Sequence, residues 1–244
     1  MARTYTLKGE TNFRWRGAEV SRVENLSDII FAMVLTLAAL QSIPQTFGEL
    51  AGLWRGALSI GFCFALILLI WRTHHIFFRR YGLDDGWVTL LNALLLFLVL
   101  IYIYPLKFMT DFVVNYFTGA FSADHQIDAV LTLAQVPWLY AIYGGFFGAV
   151  YTVVALLYAH ALRRGDALEL TDTERSWTRF EVEFGLGTAV LSLIVTALAF
   201  ALPGFIAPFA GTAFALMGLI AWVCSARAQA RLNKPAPEMP AQAP

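Results

Sequence analysis

The sequence predicts an all-α integral membrane protein with six transmembrane helices and both termini in the cytoplasm, and three observations carry that reading. The first is composition: 59% of the 244 residues are hydrophobic and only 14% are charged, against about 45–50% apolar in a soluble globular domain. The second is the recurrence of apolar stretches about 20 residues long, the length that crosses roughly 30 Å of hydrocarbon at about 1.5 Å per residue. The third is the sidedness of the basic residues. With six alternating spans, 15 of the 17 lysines and arginines fall on the side that holds both termini, and cytoplasmic segments are enriched in those residues.

Residues 1–25 form an N-terminal segment with Arg3, Lys8, Arg14, Arg16 and Arg22 and no apolar centre, so a cleavable signal peptide is not expected and the segment is assigned to the cytoplasm. The spans are expected at 26–43, 52–78, 87–108, 136–162, 183–205 and 207–226, which together make a transmembrane domain over 26–226. The last two are parted only by PGFIAP, where Pro203, Gly204 and Pro208 break a helix and read as a tight turn. The longest external segment, 109–135, contains Asp111, Asp124, His125 and Asp128, and a short amphipathic helix is expected at its DAVLTLAQ stretch. The remainder, 227–244, ends in the polar, proline-rich NKPAPEMPAQAP and is expected to be a disordered cytoplasmic tail. Cys63 and Cys224 lie inside apolar runs, where a thiol behaves as a small hydrophobe. The formal net charge is zero, so the basic footprint that attracts nucleic acid is absent.

Chemistry is scarce in the spans, and what polar groups they hold fall into one pattern. Span one opens on RVENLSD, three charged residues at the edge of the apolar run IIFAMVLTLAALQSIP. At about 100° per residue Leu26, Ile30, Met33, Leu37 and Leu40 form one stripe, each within roughly 60° of Met33, with Thr36 at its edge and Asp28 roughly 140° away. Such a stripe is also what a lipid-facing or core surface looks like. Asp28 on the opposite face demands a protein partner, which assigns that face to packing within the protein. Span two ends in WRTHHIFFRRY, so that Trp71, His74 and His75 reach the depth of Ser27 and Asp28. Adjacent histidines project about 100° apart and no Cys or carboxylate follows at ligand spacing, so no metal site is expected there. Trp71, Arg72, Arg79 and Arg80 can be read as a headgroup anchor, but a hydrogen-bond network from a histidine to Ser27 and Asp28 explains more of these residues. In span three the amide of Asn92 reads as interhelical glue, and Gly144, Gly145 and Gly148 in span four as a close-packing signal. No phosphate loop, no nucleophile with a base and no paired carboxylates occur within a span, so an enzyme is not expected.

Taken together these residues resemble the transmembrane protein 175 family, the endolysosomal potassium channels and their prokaryotic relatives. RVENLSD is similar to the family's R-x-x-x-F-S-D signature at Arg22, Ser27 and Asp28, with Leu26 in place of phenylalanine. The likeness continues through Phe31, Ala32, Thr36, Leu37, Leu40, Ile43 and Pro44, and through Trp71, His74, His75 and Phe78 of a W-x-x-H-H-x-x-F pattern. Asn92, Phe97 and Pro105 extend it to about residue 110.

The resemblance implies a channel that conducts potassium in preference to sodium, passively and without a cofactor, potassium being the permeant ion. It places the first helix around a central pore, with the constriction at Met33, a threonine layer at Thr36, and Leu37 and Leu40 further along. It makes Arg22, Ser27, Asp28, Trp71, His74, His75 and Asn92 a network that braces the pore helix. One signature per chain implies four copies around one axis, a homotetramer in the plasma membrane of a prokaryote. The alternatives are a proton-coupled secondary transporter using Asp28 and a histidine as relay, and a non-conducting membrane scaffold.

Overall fold

The fold is described from a computed structural model, which describes residues 13–17, 19–40, 45–118, 131–204 and 206–233. Among the described residues there are six α-helices: α1 Arg22–Ala39, α2 Phe47–Tyr81, α3 Gly86–Phe117, α4 Val136–Arg163, α5 Asp172–Ala201 and α6 Leu216–Leu232. A 3₁₀ segment, Ala207–Ala215, leads into α6.

Local chemistry sets the helix starts. Four N–H groups at each N-terminus have no intrahelical partner, and polar side chains take some of them up. Ser21 Oγ accepts from the Glu24 N–H at 3.1 Å to open α1. Asp85 accepts from the N–H groups of Trp87 and Val88, both at 3.0 Å, to open α3. Thr171 and Glu174 exchange hydrogen bonds of 3.3 and 2.9 Å in a reciprocal capping box that opens α5. Proline occupies the first turn of α4 and of the 3₁₀ segment, where its missing N–H costs nothing.

Among the described residues five segments are long and apolar enough to cross a membrane: Leu50–Tyr81, Gly86–Asn115, Val136–Arg163, Asp172–Ala201 and Ala207–Leu232. The protein is therefore multi-pass. The first expected span does not qualify on these terms, because the 18 residues of α1 include Arg22, Glu24 and Asp28. Other boundaries also move. α1 begins at Arg22 rather than 26, because Ser21 caps it. α3 runs through Pro105 to Phe117, past the expected end at 108, since one proline removes a single ladder bond and Lys107 pairs with Asp111 one turn on at 2.5 Å. α6 runs to Leu232 instead of stopping at 226. It is held against α5 by a hydrogen bond of 2.9 Å from Ser176 Oγ to the Ala228 carbonyl and by the Arg231–Glu183 ion pair. Of the helix expected at DAVLTLAQ, residues 128–130 lie outside the described residues, as do Asp124 and His125. Residues 132–135 form a turn, closed by Gln135 N–H to the Thr132 carbonyl at 2.9 Å, because the Gln135 side chain also takes the Thr132 N–H. Ile43, Pro44 and residues 234–244 of the expected tail also lie outside the described residues.

α1 packs on α2 and α3, α4 joins α2 and α3 from the other side, and α5 lies along α4 with α6 outside it. One apolar core runs through α1 to α4, and a second lies between α4, α5 and the 3₁₀ segment around Tyr140, Leu191, Val195 and Ala210. α4 and α5 approach closely because the side chains at their contact are small. A Cβ on Gly185 would sit 3.0 Å from Ala155 Cβ and 3.1 Å from the Tyr151 carbonyl oxygen. Ser192 and Thr196 then donate across the interface to the carbonyls of Gly144 and Tyr140.

Asp85 joins three elements at the end of the bundle where α2, α3 and α4 meet. Beyond capping α3, it receives His160 of α4 at 2.7 Å, with Arg164 at 3.4 Å. Burial raises its pKa, but the hydrogen bonds from His160 and Val88 and the nearby Arg164 charge outweigh that and hold the carboxyl below its ordinary value near 3.8. A carboxyl with a lowered folded value stabilises fully above its unfolded value and loses that stabilisation as the pH falls through the folded one. The Asp85→Asn variant is therefore expected to unfold at lower temperature than the parent near neutral pH. The gap should close below about pH 4, as followed by thermal melts in detergent across a pH series.

Candidate functional site

The first helix divides into two faces. Glu24, Ser27, Phe31, Val34 and Ala38 are buried against α2 and α3. On the other side Leu26, Ile29, Met33 and Leu40 are 54%, 55%, 55% and 70% exposed, and Thr36 lies exposed among them. Ile30 and Leu37, expected on the same stripe, are half-buried against the core. The exposed arc is thus centred nearer Ile29, roughly 40° round the helix from Met33, than the residues chosen from sequence imply. Ile29 was missed, although simple helical geometry places it inside the arc. Thr36 Oγ1 donates to the Met33 carbonyl at 2.7 Å. Its proton is therefore spent on the backbone, and the oxygen offers lone pairs outward.

The buried face is held by two chains of polar contacts. In one, His74 Nε2 lies 2.7 Å from Asn92 Oδ1, Asn92 Nδ2 donates to Ser27 Oγ at 3.0 Å, and Ser27 Oγ donates to the Val23 carbonyl at 2.7 Å. An amide oxygen can only accept, so His74 carries its proton on Nε2. The ring is wedged between Phe31 and Phe78, with centroids 5.6 and 4.8 Å away. In the other chain, Trp71 Nε1 donates to Asp28 Oδ1 at 2.8 Å, and the Trp71 ring stacks on His75 at 5.3 Å. His75 Nδ1 lies 3.4 Å from Glu24, and Arg79 donates to the same carboxylate oxygen at 2.7 Å.

Six of the seven residues expected in this network, Ser27, Asp28, Trp71, His74, His75 and Asn92, are brought together. Arg22 is not. It is exposed at the first residue of α1, and among the described residues it makes no ion pair. An acid–base link at this end of α1 is made instead by Glu24 and Arg79, for a geometric reason: Glu24 lies roughly 180° from Met33 and so faces α2, whereas Arg22 does not. Sequence reasoning left Glu24 unused and read Arg79 as a headgroup anchor. The signal was available in the helical angle of Glu24, which puts a carboxylate on the packed face where it needs a cation. Among the described residues no group of three or more His, Cys, Asp or Glu side chains is placed to hold a metal ion.

Because Asn92 is 2% exposed and its Oδ1 accepts from His74 Nε2, its loss leaves the buried His74 N–H unpaired, while Ser27 keeps its bond to the Val23 carbonyl. Asn92→Leu is expected to cost about 1–3 kcal/mol for that unpaired group. The thermal midpoint in detergent should fall by more than for Asn92→Ser, whose hydroxyl can still accept from His74.

Comparison with known proteins adds an independent line. The family model described as Endosomal/lysosomal potassium channel TMEM175 matches residues 22–105, which spans α1, α2 and most of α3. A protein of Marivirga tractuosa called "Potassium channel" is 36% identical over 192 residues, 76% of this chain and 78% of that one. A potassium channel of Chamaesiphon minutus is 28% identical over 153 residues, 59% of this chain and 66% of that one. Among solved structures, a variant of the potassium channel MtTMEM175, in complex with a nanobody–MBP fusion, superposes with a TM-score of 0.71 at 30% identity. That superposition covers 90% of this chain and 95% of the other. A lysosomal potassium-selective channel TMEM175 homolog from Chamaesiphon minutus shares the fold, with a TM-score of 0.53 at 24% identity over 83% of this chain and 96% of its own. The family model covers the helices that build the network around Ser27 and Asn92. With over a third of residues shared across most of the length of the Marivirga protein, the chain belongs to the TMEM175 family.

Proposed function

We propose that the chain is a potassium channel whose pore is lined by the exposed face of α1 in four symmetry-related copies. It is not an enzyme. Its relatives carry the name potassium channel, and the observation within this chain that carries the reading is the division of α1. A helix that turns Glu24, Ser27 and Asp28 inward to partners while leaving Leu26, Ile29, Met33, Thr36 and Leu40 outward has an apolar face supplied with one hydroxyl. A lone α1 is too short of uninterrupted apolar length to suit lipid as well as its five companions do. Packed around a central axis, the same face makes a narrow path instead.

In this reading Met33 forms the constriction. A ring of bulky apolar side chains excludes water when narrow and so gates by dewetting. Thr36, one turn along, supplies a ring of four oxygens whose lone pairs point away from the backbone bond they make. Such oxygens replace part of the hydration shell of potassium, which is more easily stripped than that of sodium, and Leu40 lines the path beyond. Passage is down the gradient, with no covalent step and no cofactor. Asp28 is not a ligand for the ion in this arrangement, because its carboxylate is committed to Trp71. The basic residues support a cytoplasmic position for both termini in a prokaryotic plasma membrane, since Arg14, Arg16, Arg79, Arg80 and Arg164 gather at one end of the bundle.

Purified protein in liposomes is expected to release potassium when a counter-ion path is opened, and its mass in detergent to correspond to four chains. Met33→Ala should raise the flux, by roughly threefold or more, by removing the narrowest apolar ring. Thr36→Val keeps the shape of the side chain and removes its oxygen, so it should lower the preference of potassium over sodium. Unchanged flux and unchanged preference in both variants would remove α1 from the pore.

A further inference from the structure

From the geometry of residues 13–17 we infer that this N-terminal strap positions the pore helix, with Arg16 and Glu174 as the positioning residues that tie α1 to α5. The inference deepens the channel reading and rests on it for the consequence in ion flux.

α1 packs only on α2 and α3 among the described elements and has no direct packing with α5. The strap supplies the missing link. Within it, Arg16 forks onto both oxygens of Glu174 at 3.1 and 2.8 Å and donates through Nε to the Leu168 carbonyl at 2.8 Å. The pair is well shielded, with Arg16 and Glu174 side chains 14% and 2% exposed. Two-pronged arginine–carboxylate contacts fix orientation as well as distance. The Arg14 N–H adds a bond of 2.8 Å to the same carboxylate. Both arginines also reach the carbonyl of Glu169, whose φ of 49° lies in the left-handed region, so the strap grips the tightest point of the α4–α5 turn.

The other edge of the strap is bonded to the end of α2. The N–H groups of Arg16 and Gly17 both donate to the Arg79 carbonyl at 3.1 Å, and the Arg79 guanidinium returns a bond of 3.1 Å to the Gly17 carbonyl. The same guanidinium holds Glu24 in the first turn of α1 at 2.7 Å. A continuous line of contacts therefore runs from α5 through Glu174, Arg16, Gly17, Arg79 and Glu24 to the start of α1. The backbones are too close for a larger residue in between: a Cβ on Gly17 would lie 2.4 Å from the Phe78 carbonyl oxygen.

Two features make this more than a static fastening. Arg16 is only five residues before the Ser21 cap, a reach of at most about 18 Å of chain, so a shift of the strap is passed straight to the mouth of the pore helix. Beside it, between the strap, the α1 cap and the α2–α3 turn, lies a cavity of about 250 Å³ into which the strap can move. Among the described residues the far end of α1 has no such connection. Releasing the strap should therefore displace the Leu26 end of the pore helix and leave the Leu40 end in place.

Three variants separate this role from general stability. Glu174→Gln keeps the α5 capping box, since glutamine serves there too, but loses the charge that holds Arg16. Arg16→Ala removes the other partner, and Arg16→Lys keeps the charge. Spin labels on Asn25→Cys and Arg179→Cys, in labelled protein diluted with unlabelled chains, report the position of the start of α1 relative to α5 within one chain. Labels on Ala39→Cys and Leu193→Cys report the far end. In lipid nanodiscs the first distance distribution is expected to shift or broaden in Glu174→Gln and Arg16→Ala, to return in Arg16→Lys, and the second to stay as in the parent. Potassium flux should change with the first distance, by roughly twofold or more. An unchanged first distance overturns the inference, as does broadening of both distances together, or a shifted distance with unaltered flux. If the parent carries no flux at all, the channel reading fails while the distances still decide whether the strap positions α1.

Discussion

The structure depends first on where α1 can place its polar groups. In hydrocarbon an unpaired hydroxyl, amide or carboxylate costs several kcal/mol, so a helix that carries Glu24, Ser27 and Asp28 has one rotation that satisfies them. Ser27 meets Asn92 on α3, Asp28 meets Trp71 on α2, and Glu24 meets Arg79 near the end of α2. Three partners on two helices define the angle of α1 about its own axis. Everything said of the outward face follows from that angle, because Ile29, Met33 and Thr36 are outward only while Ser27 is inward.

The network is also graded along the membrane normal. Its ion pair, Glu24 with Arg79, lies at the end of the bundle where arginines and turns gather, while the hydrogen-bonded groups Ser27, Asn92 and His74, and Asp28 on Trp71, lie further in. This order follows the cost of burial, since an ion pair near the headgroups retains some solvation and a neutral hydrogen-bonded chain does not need it. The second half of the molecule uses another solution. α4 and α5 carry small residues and hydroxyls at their contact and bring backbones together, with Ser192 and Thr196 donating to carbonyls of the neighbouring helix. One half of the chain thus fixes rotation by specific polar pairs, and the other fixes separation by lack of bulk. Glu174 and the strap of residues 13–17 add a polar tie between the two halves.

Much of this was legible in the sequence because it rests on local or periodic rules. Composition and the spacing of apolar runs determined a multi-pass helical protein. Helical angles put Met33 and Asp28 on different faces, and the RVENLSD and WRTHHIFF stretches pointed to the family. Tertiary structure decided what those rules leave open. Which of Arg22 and Glu24 meets a partner depends on the direction in which α2 lies, and that direction is fixed by helices more than forty residues away. Whether Ile30 and Leu37 or Ile29 face outward depends on a rotation of some tens of degrees, set by where Trp71 and Asn92 stand. The continuation of α3 past Pro105 and of α6 to Leu232 reflects ion pairs and packing that outweigh the local breakers. The binding of Arg16 to Glu174, 158 residues further along the chain, has no sequence signature at all, because it is made by two segments that meet only once the six helices have packed.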